Sequence, residues 1–167
     1  SKYKIYLPES DDFVRVNGMN DFKLSHDISC FISETYPSVS LDWDMNVPEL
    51  VEQAQADGIV TIVDETKGGF RTGSFFSFDK RCSPDIITMS KSLCSGFPVS
   101  AVLVKPFLYE LCDDDWYTTT SGGHPIGCEI GLNNLLVGPD TSLAFQELFE
   151  PFLYDIFGDR LKIKGRY

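Results

Sequence analysis

A helix followed at once by a buried strand constrains the fold of this chain more than any other feature. Asn46 can cap the helix, Pro48 suits its first turn, and Gly58 is a natural stop after its last turn. The β-branched run Ile59–Val63 follows immediately and ends at Asp64. This order of helix, glycine, apolar strand and acid is typical of a crossover between two parallel strands.

Further short apolar runs predict the rest of the fold. We expect strands at Tyr3–Leu7, Ile28–Ser33, Asp85–Met89 and Ser100–Val104, the last three buried. We expect helices at Pro106–Leu111, Ile126–Leu136 and Ser142–Phe149, with Pro151 breaking or kinking the last one. Because no hairpin dipeptides separate the strands, the pattern predicts an α/β fold with a partial, mostly parallel sheet flanked by helices. Ligands of such sheets bind at the carboxyl ends of the strands.

Length and charge exclude several function classes. The 167 residues are about one domain's worth of chain. The formal net charge of −11 disfavours nucleic acids and acidic membranes as partners, and no apolar run is long enough to span a bilayer. The chain shows no basic segment followed by an apolar one at its start, so we expect no secretory signal in it.

The cysteines argue against a disulfide framework and against a metal site. Five cysteines form an odd set without close C-x-x-C pairs. We therefore predict reduced thiols, no bound metal and a cytoplasmic location.

Two polar residues stand just beyond predicted strand ends and could carry chemistry. Asp64 could simply cap the next turn, or it could pair with a cationic group of a ligand. Lys91 could be a solvated surface charge, or a desolvated amine that acts as a nucleophile. An acid for a pyridinium nitrogen and a lysine for a Schiff base are together what pyridoxal phosphate requires of a protein.

Three ordered blocks of sequence make the chain recognisable. They are VDETKGGFRTG at 63–73, PDIITMSKSLCSGFPVSAVLV at 84–104 and TTSGGHP at 119–125. They closely resemble the class III aminotransferases, a fold-type I family that includes ornithine, 4-aminobutyrate and glutamate-1-semialdehyde enzymes. The resemblance covers approximately Gly18 to Leu136, and it implies the fold of the large domain that binds pyridoxal 5′-phosphate in that family.

The resemblance also implies roles for three residues. Asp64 would be the partner of the pyridine nitrogen, and Lys91 would form the internal aldimine and move the substrate's proton. Thr120 matches the family threonine that binds the cofactor phosphate across a dimer interface. The implied reaction transfers an amino group from an amine or amino acid to a carbonyl acceptor.

The length of the chain bears on whether it acts alone. Family chains are considerably longer, so we expect residues 1–167 to be a single truncated large-domain segment, without the family's N-terminal segment and C-terminal small domain. A homodimer, or completion by further segments of a longer protein, is then implied. The alternatives are a non-catalytic aminotransferase-like interaction or structural subunit and, more remotely, a plain small-ligand α/β binding module.

Overall fold

The computed structural model describes residues 27–35, 47–78, 82–112 and 119–158. These residues form a four-stranded sheet, three α-helices and a short 3₁₀ turn at Lys91–Cys94. In chain order the elements are β1 (Cys30–Glu34), α1 (Val47–Ala56), β2 (Val60–Asp64), β3 (Ile86–Met89), β4 (Ala101–Val104), α2 (Pro106–Tyr109) and α3 (Pro125–Phe157). The predicted strand at Tyr3–Leu7 and the predicted cap Asn46 lie outside the described residues.

The sheet is open and has the order β1-β2-β3-β4. The pairs β1/β2 and β2/β3 are parallel, and β3/β4 is antiparallel. The expected mostly parallel sheet flanked by helices is therefore confirmed. The prediction of a buried strand at Ser100–Val104 was wrong in one respect, since Val102 is 59% exposed and Leu103 45% exposed on this edge strand.

Helix α1 supplies the crossover that the sequence predicts between β1 and β2. Val47, Leu50, Val51 and Ala54 are buried together with Phe31 and Val63 of the two strands it connects. This spacing places the four apolar residues on one face of the helix, which covers the sheet. The helix ends where Gly58 adopts a φ of 74° and the Ile59 N–H donates to the Ala54 carbonyl over 2.9 Å, as in a Schellman-type ending.

A buried carboxylate fixes the amino-terminal ends of β2 and β3. Asp85 accepts hydrogen bonds from the Thr61 N–H at 2.9 Å and the Thr61 hydroxyl at 2.8 Å, and it pairs with Lys105 at 2.9 Å. Burial alone would raise the pKa of Asp85, but Lys105, Thr61 and Gln55 together lower it below its ordinary value of 3.8. This network pins the register of the two parallel strands at the end opposite to Asp64.

Helix α3 differs most from expectation. One helix of 33 residues replaces the two that were predicted, and it continues through Pro139 and Pro151. A proline inside a helix removes one backbone hydrogen bond and costs roughly 3 kcal/mol, so a break at Pro151 was the local expectation. Apart from Gly127 and Gly131, no residue of α3 is buried. Its backbone near the prolines is therefore accessible to water, which can satisfy the freed carbonyl groups.

Helix α2 is a single turn at Pro106–Tyr109, shorter than the predicted Pro106–Leu111. Within the described ranges, no helix combines the length and the apolar character needed to cross a bilayer. The same ranges hold no group of three or more histidine, cysteine or acidic side chains placed to bind a metal ion.

Candidate active site at the carboxyl edge of the sheet

Asp64 is the last residue of β2 and lies in register with Glu34 of β1 and Thr88 of β3. Its side chain is half-buried, and its Oδ1 accepts a hydrogen bond of 2.8 Å from the Thr66 N–H. This bond is the turn-capping role expected of an aspartate at a loop start. No other hydrogen bond to the Asp64 side chain is found among the described residues, so Oδ2 can still accept one from a ligand. The two interpretations of Asp64 are therefore compatible.

Lys91 follows the neighbouring strand and begins the 3₁₀ turn. Because β2 and β3 are parallel, Asp64 and Lys91 lie at the same end of the sheet, where the carboxyl ends of these strands meet. The Lys91 side chain is exposed rather than desolvated, and within the described part of the chain Nζ forms no hydrogen bond or ion pair, including with Asp64. Both groups are consequently available to a ligand.

The backbone at Lys91 has an unusual conformation. Its φ is 47°, in the left-handed region, which costs a non-glycine residue roughly 1–2 kcal/mol. Ser95, at the other end of the turn, is also left-handed with a φ of 50°. Strain of this kind persists where surrounding contacts impose it, and it is concentrated at functional sites.

Local contacts fix part of this turn. The Gly96 N–H donates to the Lys91 carbonyl over 3.1 Å, and the Ser90 hydroxyl donates to the Val99 carbonyl over 2.9 Å. Leu93 and Cys94 are buried with Phe70 and Met89 in a second apolar cluster. The turn is therefore anchored from below by apolar packing, while Lys91 itself remains at the surface.

Glu65 is a site neighbour whose role the sequence did not reveal. Its carboxylate is 1% exposed and accepts hydrogen bonds from the Thr35 hydroxyl, the Ser77 N–H (2.7 Å) and the Ser77 hydroxyl (2.8 Å). Burial, with repulsion from Asp64, raises the pKa of Glu65 above its ordinary 4.5, against the effect of those hydrogen bonds. Glu65 thus ties the loop after Asp64 to the end of β1, and only its place in the "DE" block signalled it.

Thr120, the third predicted residue, precedes α3 and does not follow a strand end. It is exposed in the turn before α3, where Gly123 has a φ of 67° and the Gly122 N–H donates to the Thr119 carbonyl over 3.3 Å. Among the described residues, no hydrogen bond joins Thr120 to Asp64 or Lys91. The parallel register of β2 and β3 brings Asp64 and the Lys91 turn to the same end of the sheet, and no bond among the described residues ties Thr120 to either of them.

A cleft of about 380 Å³ is lined in part by the Lys91 turn. Ser92, Ser95 and Asn134 contribute to its lining, as do Arg71 and Phe145, but Asp64 and Lys91 do not. The candidate active site is therefore the strand edge itself and not this cleft. Asn134, which contacts the turn from α3, is the second neighbour that the sequence did not reveal.

The chemistry of this pair fits the expected cofactor. A carboxylate with an available oxygen suits a protonated ring nitrogen, and an amine without a partner suits an aldehyde carbon. Both groups stand at the edge where an open α/β sheet binds its ligand. The two side chains therefore have the functional groups that this cofactor would need from a protein.

Comparison with known proteins finds aminotransferases. The family described as "Aminotransferase class-III" matches residues 26–146. An acetylornithine aminotransferase of Methanopyrus kandleri is 37% identical over 82 residues, covering 48% of this chain and 21% of the relative. An uncharacterised aminotransferase of Schizosaccharomyces pombe is 32% identical over 158 residues, covering 89% of this chain and 34% of the relative.

Solved structures share the fold. The ornithine aminotransferase of Toxoplasma gondii superposes with a TM-score of 0.64 at 26% identity, over 81% of this chain and 34% of that one. The chain therefore spans between about a fifth and a third of the length of these aminotransferases.

Proposed function

This chain belongs to the class-III aminotransferase family, and from that premise we propose that it is the central part of a pyridoxal phosphate-dependent aminotransferase. The observation that carries the proposal is that Asp64 ends one strand and Lys91 follows the carboxyl end of the adjacent parallel strand. Each of them has a functional group that the described residues leave available to a ligand.

Asp64 would hold the cofactor ring. Its Oδ2 would accept a hydrogen bond from the protonated pyridine nitrogen, while Oδ1 continues to accept from the Thr66 N–H, which keeps the carboxylate oriented. When bound, pyridoxal phosphate supplies an aldehyde that captures amines and a ring that withdraws electrons from the substrate.

Lys91 would attach the cofactor covalently through Nζ and then act as the base. As an amine, Nζ would be the group that moves a proton from the substrate's α-carbon. Its exposed position above the strand edge leaves Nζ free to reach a bound ligand. Thr120 would bind the cofactor phosphate, with the neighbouring Gly122-Gly123 turn supplying backbone N–H groups.

The substrates would be an amine or amino acid as donor and a carbonyl compound as acceptor. Acetylornithine, 4-aminobutyrate and alanine occur in the names of the relatives and form the first panel of donors to assay. The chain spans about a fifth to a third of the relatives' length, which supports a site completed by further polypeptide or shared between two copies. The free thiols of Cys30, Cys94, Cys112 and Cys128 support a reducing compartment such as the cytoplasm.

A non-catalytic interaction subunit is the alternative, and the surface of α3 favours it. Large apolar side chains along this helix are exposed, among them Leu136 at 71%, Leu148 at 79% and Phe145 at 61%. Apolar surface of this extent commonly marks a protein contact. Such a subunit would use α3 to bind a partner and would not need Lys91.

The visible spectrum of the chain with pyridoxal phosphate separates these functions. We expect the parent to develop a band from the bound cofactor that sodium borohydride abolishes. Lys91→Ala and the charge-matched Lys91→Arg should lose the band completely, because neither side chain supplies a primary amine at this site. A parent without the band would favour the interaction subunit, and a Lys91→Ala variant with the full band would refute the role of Lys91.

A further inference from the structure

We propose that Asn134 of α3 is a positioning residue for Lys91, whose side-chain amide holds the turn that carries the lysine. The inference rests on the proposed function of Lys91 and goes beyond it, because Asn134 comes from a different element, more than forty residues away in the chain. No part of the three sequence blocks contains it.

Asn134 bonds directly to the backbone of the turn. Its Nδ2 lies 3.1 Å from the Ser92 carbonyl oxygen and 3.0 Å from the Leu93 carbonyl oxygen. The Ser95 hydroxyl lies 3.2 Å from Oδ1 and 2.8 Å from Nδ2. One side chain thus contacts three residues of the segment that begins at Lys91.

The chemistry of these contacts requires an amide. The two N–H protons of Nδ2 match two carbonyl oxygens that can only accept, and the Ser95 hydroxyl can donate to Oδ1. A flipped amide would place Oδ1 against the two carbonyls, so the orientation of the group is determined. A carboxylate of the same shape would repel both carbonyl oxygens.

The close approach of α3 allows this short side chain to reach the turn. Gly127, Gly131, Asn134 and Gly138 are spaced four, three and four residues apart and therefore share one face of the helix. A Cβ at Gly127 would lie 2.5 Å from Val99 Cγ2, and one at Gly131 would lie 3.1 Å from Cys94 Sγ. Glycine at these positions lets the helix backbone rest on the segment that follows Lys91.

The turn needs such a support because the backbone conformation of its end residues is unfavourable. Lys91 and Ser95 are both left-handed non-glycine residues, and Ser90 gives the 3₁₀ turn no side-chain cap. Without the bonds from Asn134, the carbonyls of Ser92 and Leu93 would lose their partner on α3. The backbone of Lys91 would then relax toward ordinary φ values, and Nζ would leave its position beside Asp64's edge of the sheet.

The adjacent residue Asn133 provides a matched control. Its Nδ2 donates to the Glu129 carbonyl at 2.8 Å within the same helix, and its side chain is exposed. Asn133→Asp and Asn134→Asp change the net charge equally at neighbouring positions. Asn133→Ala and Asn134→Ala form a second pair that introduces no charge and retains helix propensity, so it remains informative if an aspartate at 134 prevents folding.

The experiment measures the rate at which Lys91 acquires a borohydride-fixed pyridoxal phosphate label, together with the pH midpoint of the visible band. We expect Asn134→Asp to slow labelling at Lys91 about tenfold and Asn134→Ala to slow it severalfold, with a shifted midpoint in both. Both control variants should stay within about twofold of the parent at an unchanged midpoint. A loss of stability alone would not move the midpoint in the folded fraction.

Two results would overturn the inference, and they are distinguishable. If the parent acquires label and Asn134→Ala acquires it at the rate and midpoint of Asn133→Ala, Asn134 does not position Lys91, while the proposed function stands. If the parent acquires no label at Lys91, the proposed function fails and this inference fails with it.

Discussion

Asp64 and Lys91 stand at neighbouring strand ends, yet the chain holds them in different ways. Asp64 is the final residue of a regular strand, and one local bond to Thr66 orients its carboxylate. Lys91 lies two residues beyond its strand in a left-handed conformation, within a turn that α3 contacts through Asn134. Asp64 thus belongs to the sheet, whereas the turn of Lys91 is contacted by a distant helix, so the two should respond differently to mutation.

Replacing Asp64 with asparagine should produce the largest effect on the Asp64 side of this comparison. The amide oxygen of Asp64→Asn can still accept from the Thr66 N–H, so we expect stability to change little. The charge that would pair with the ring nitrogen is lost, and pyridoxal phosphate should bind about 10- to 100-fold more weakly.

A cofactor titration followed by absorbance, with a urea unfolding curve for each protein, measures both quantities. Glu34→Gln on the adjacent strand is the control, and it should leave the affinity within a fewfold of the parent. Equal affinity in Asp64→Asn and the parent would contradict the role of Asp64.

Adding side-chain volume at Gly127 should disturb the Lys91 side alone. A Cβ there would lie 2.5 Å from Val99 Cγ2 and 3.2 Å from Phe97 Cε1, so Gly127→Val should lower the free energy of unfolding by about 1–3 kcal/mol. Urea denaturation measures it, with Leu136→Ala on an exposed part of α3 as a control within about 0.5 kcal/mol. If Gly127→Val were as stable as the parent, α3 would not rest closely on the segment after Lys91.

The smallest expected effect concerns Glu65 and is seen as a pH dependence. Burial raises the pKa of Glu65 above 4.5, so the folded chain binds this proton more tightly than the unfolded chain does. The contribution of Glu65 to stability is therefore full below pH 4.5 and falls as the pH rises through that value toward the folded-state pKa. The pKa of Asp85 is lowered below 3.8, so its contribution to stability is full above that pH and is lost as the pH falls below it.

Glu65→Gln isolates this contribution, since Asp85 is common to both proteins. The stability difference between the parent and Glu65→Gln should become less favourable to the parent between pH 4 and pH 7, measured by urea unfolding at each pH. Glu52→Gln on the exposed face of α1 is the control and should follow the parent's profile. A constant difference between the parent and Glu65→Gln would contradict a raised pKa.

What could be predicted from the sequence was local. The Gly58 stop, the β-branched run and the apolar face of α1 predicted the crossover, because these signals lie within a few residues of the structure they specify. The side chain of Asp64 at the end of β2 followed from the same reasoning. The resemblance to the class III family added the role of Lys91, which stays a prediction.

What could not be predicted depends on contacts between distant residues. The periodicity of the sequence does not show whether β4 runs parallel or antiparallel to β3. The free-energy cost of Pro151 in a helix predicts a break, but α3 continues through it, because water can reach this part of the exposed helix. The ties of Glu65 to Thr35 and of Asn134 to Leu93 join residues 30 and 41 positions apart. No sequence pattern around a glutamate or an asparagine predicts a contact with a residue this far away in the chain.

Locating the borohydride-fixed label by peptide mass spectrometry tests the central claim most directly. With one equivalent of pyridoxal phosphate, we expect the label on Lys91 in strong preference to the other lysines, and we expect Asp64→Asn to reduce that share. A label spread evenly over the exposed lysines, or one on Lys91 that is indifferent to Asp64, would contradict the claim that these two strand ends form one site.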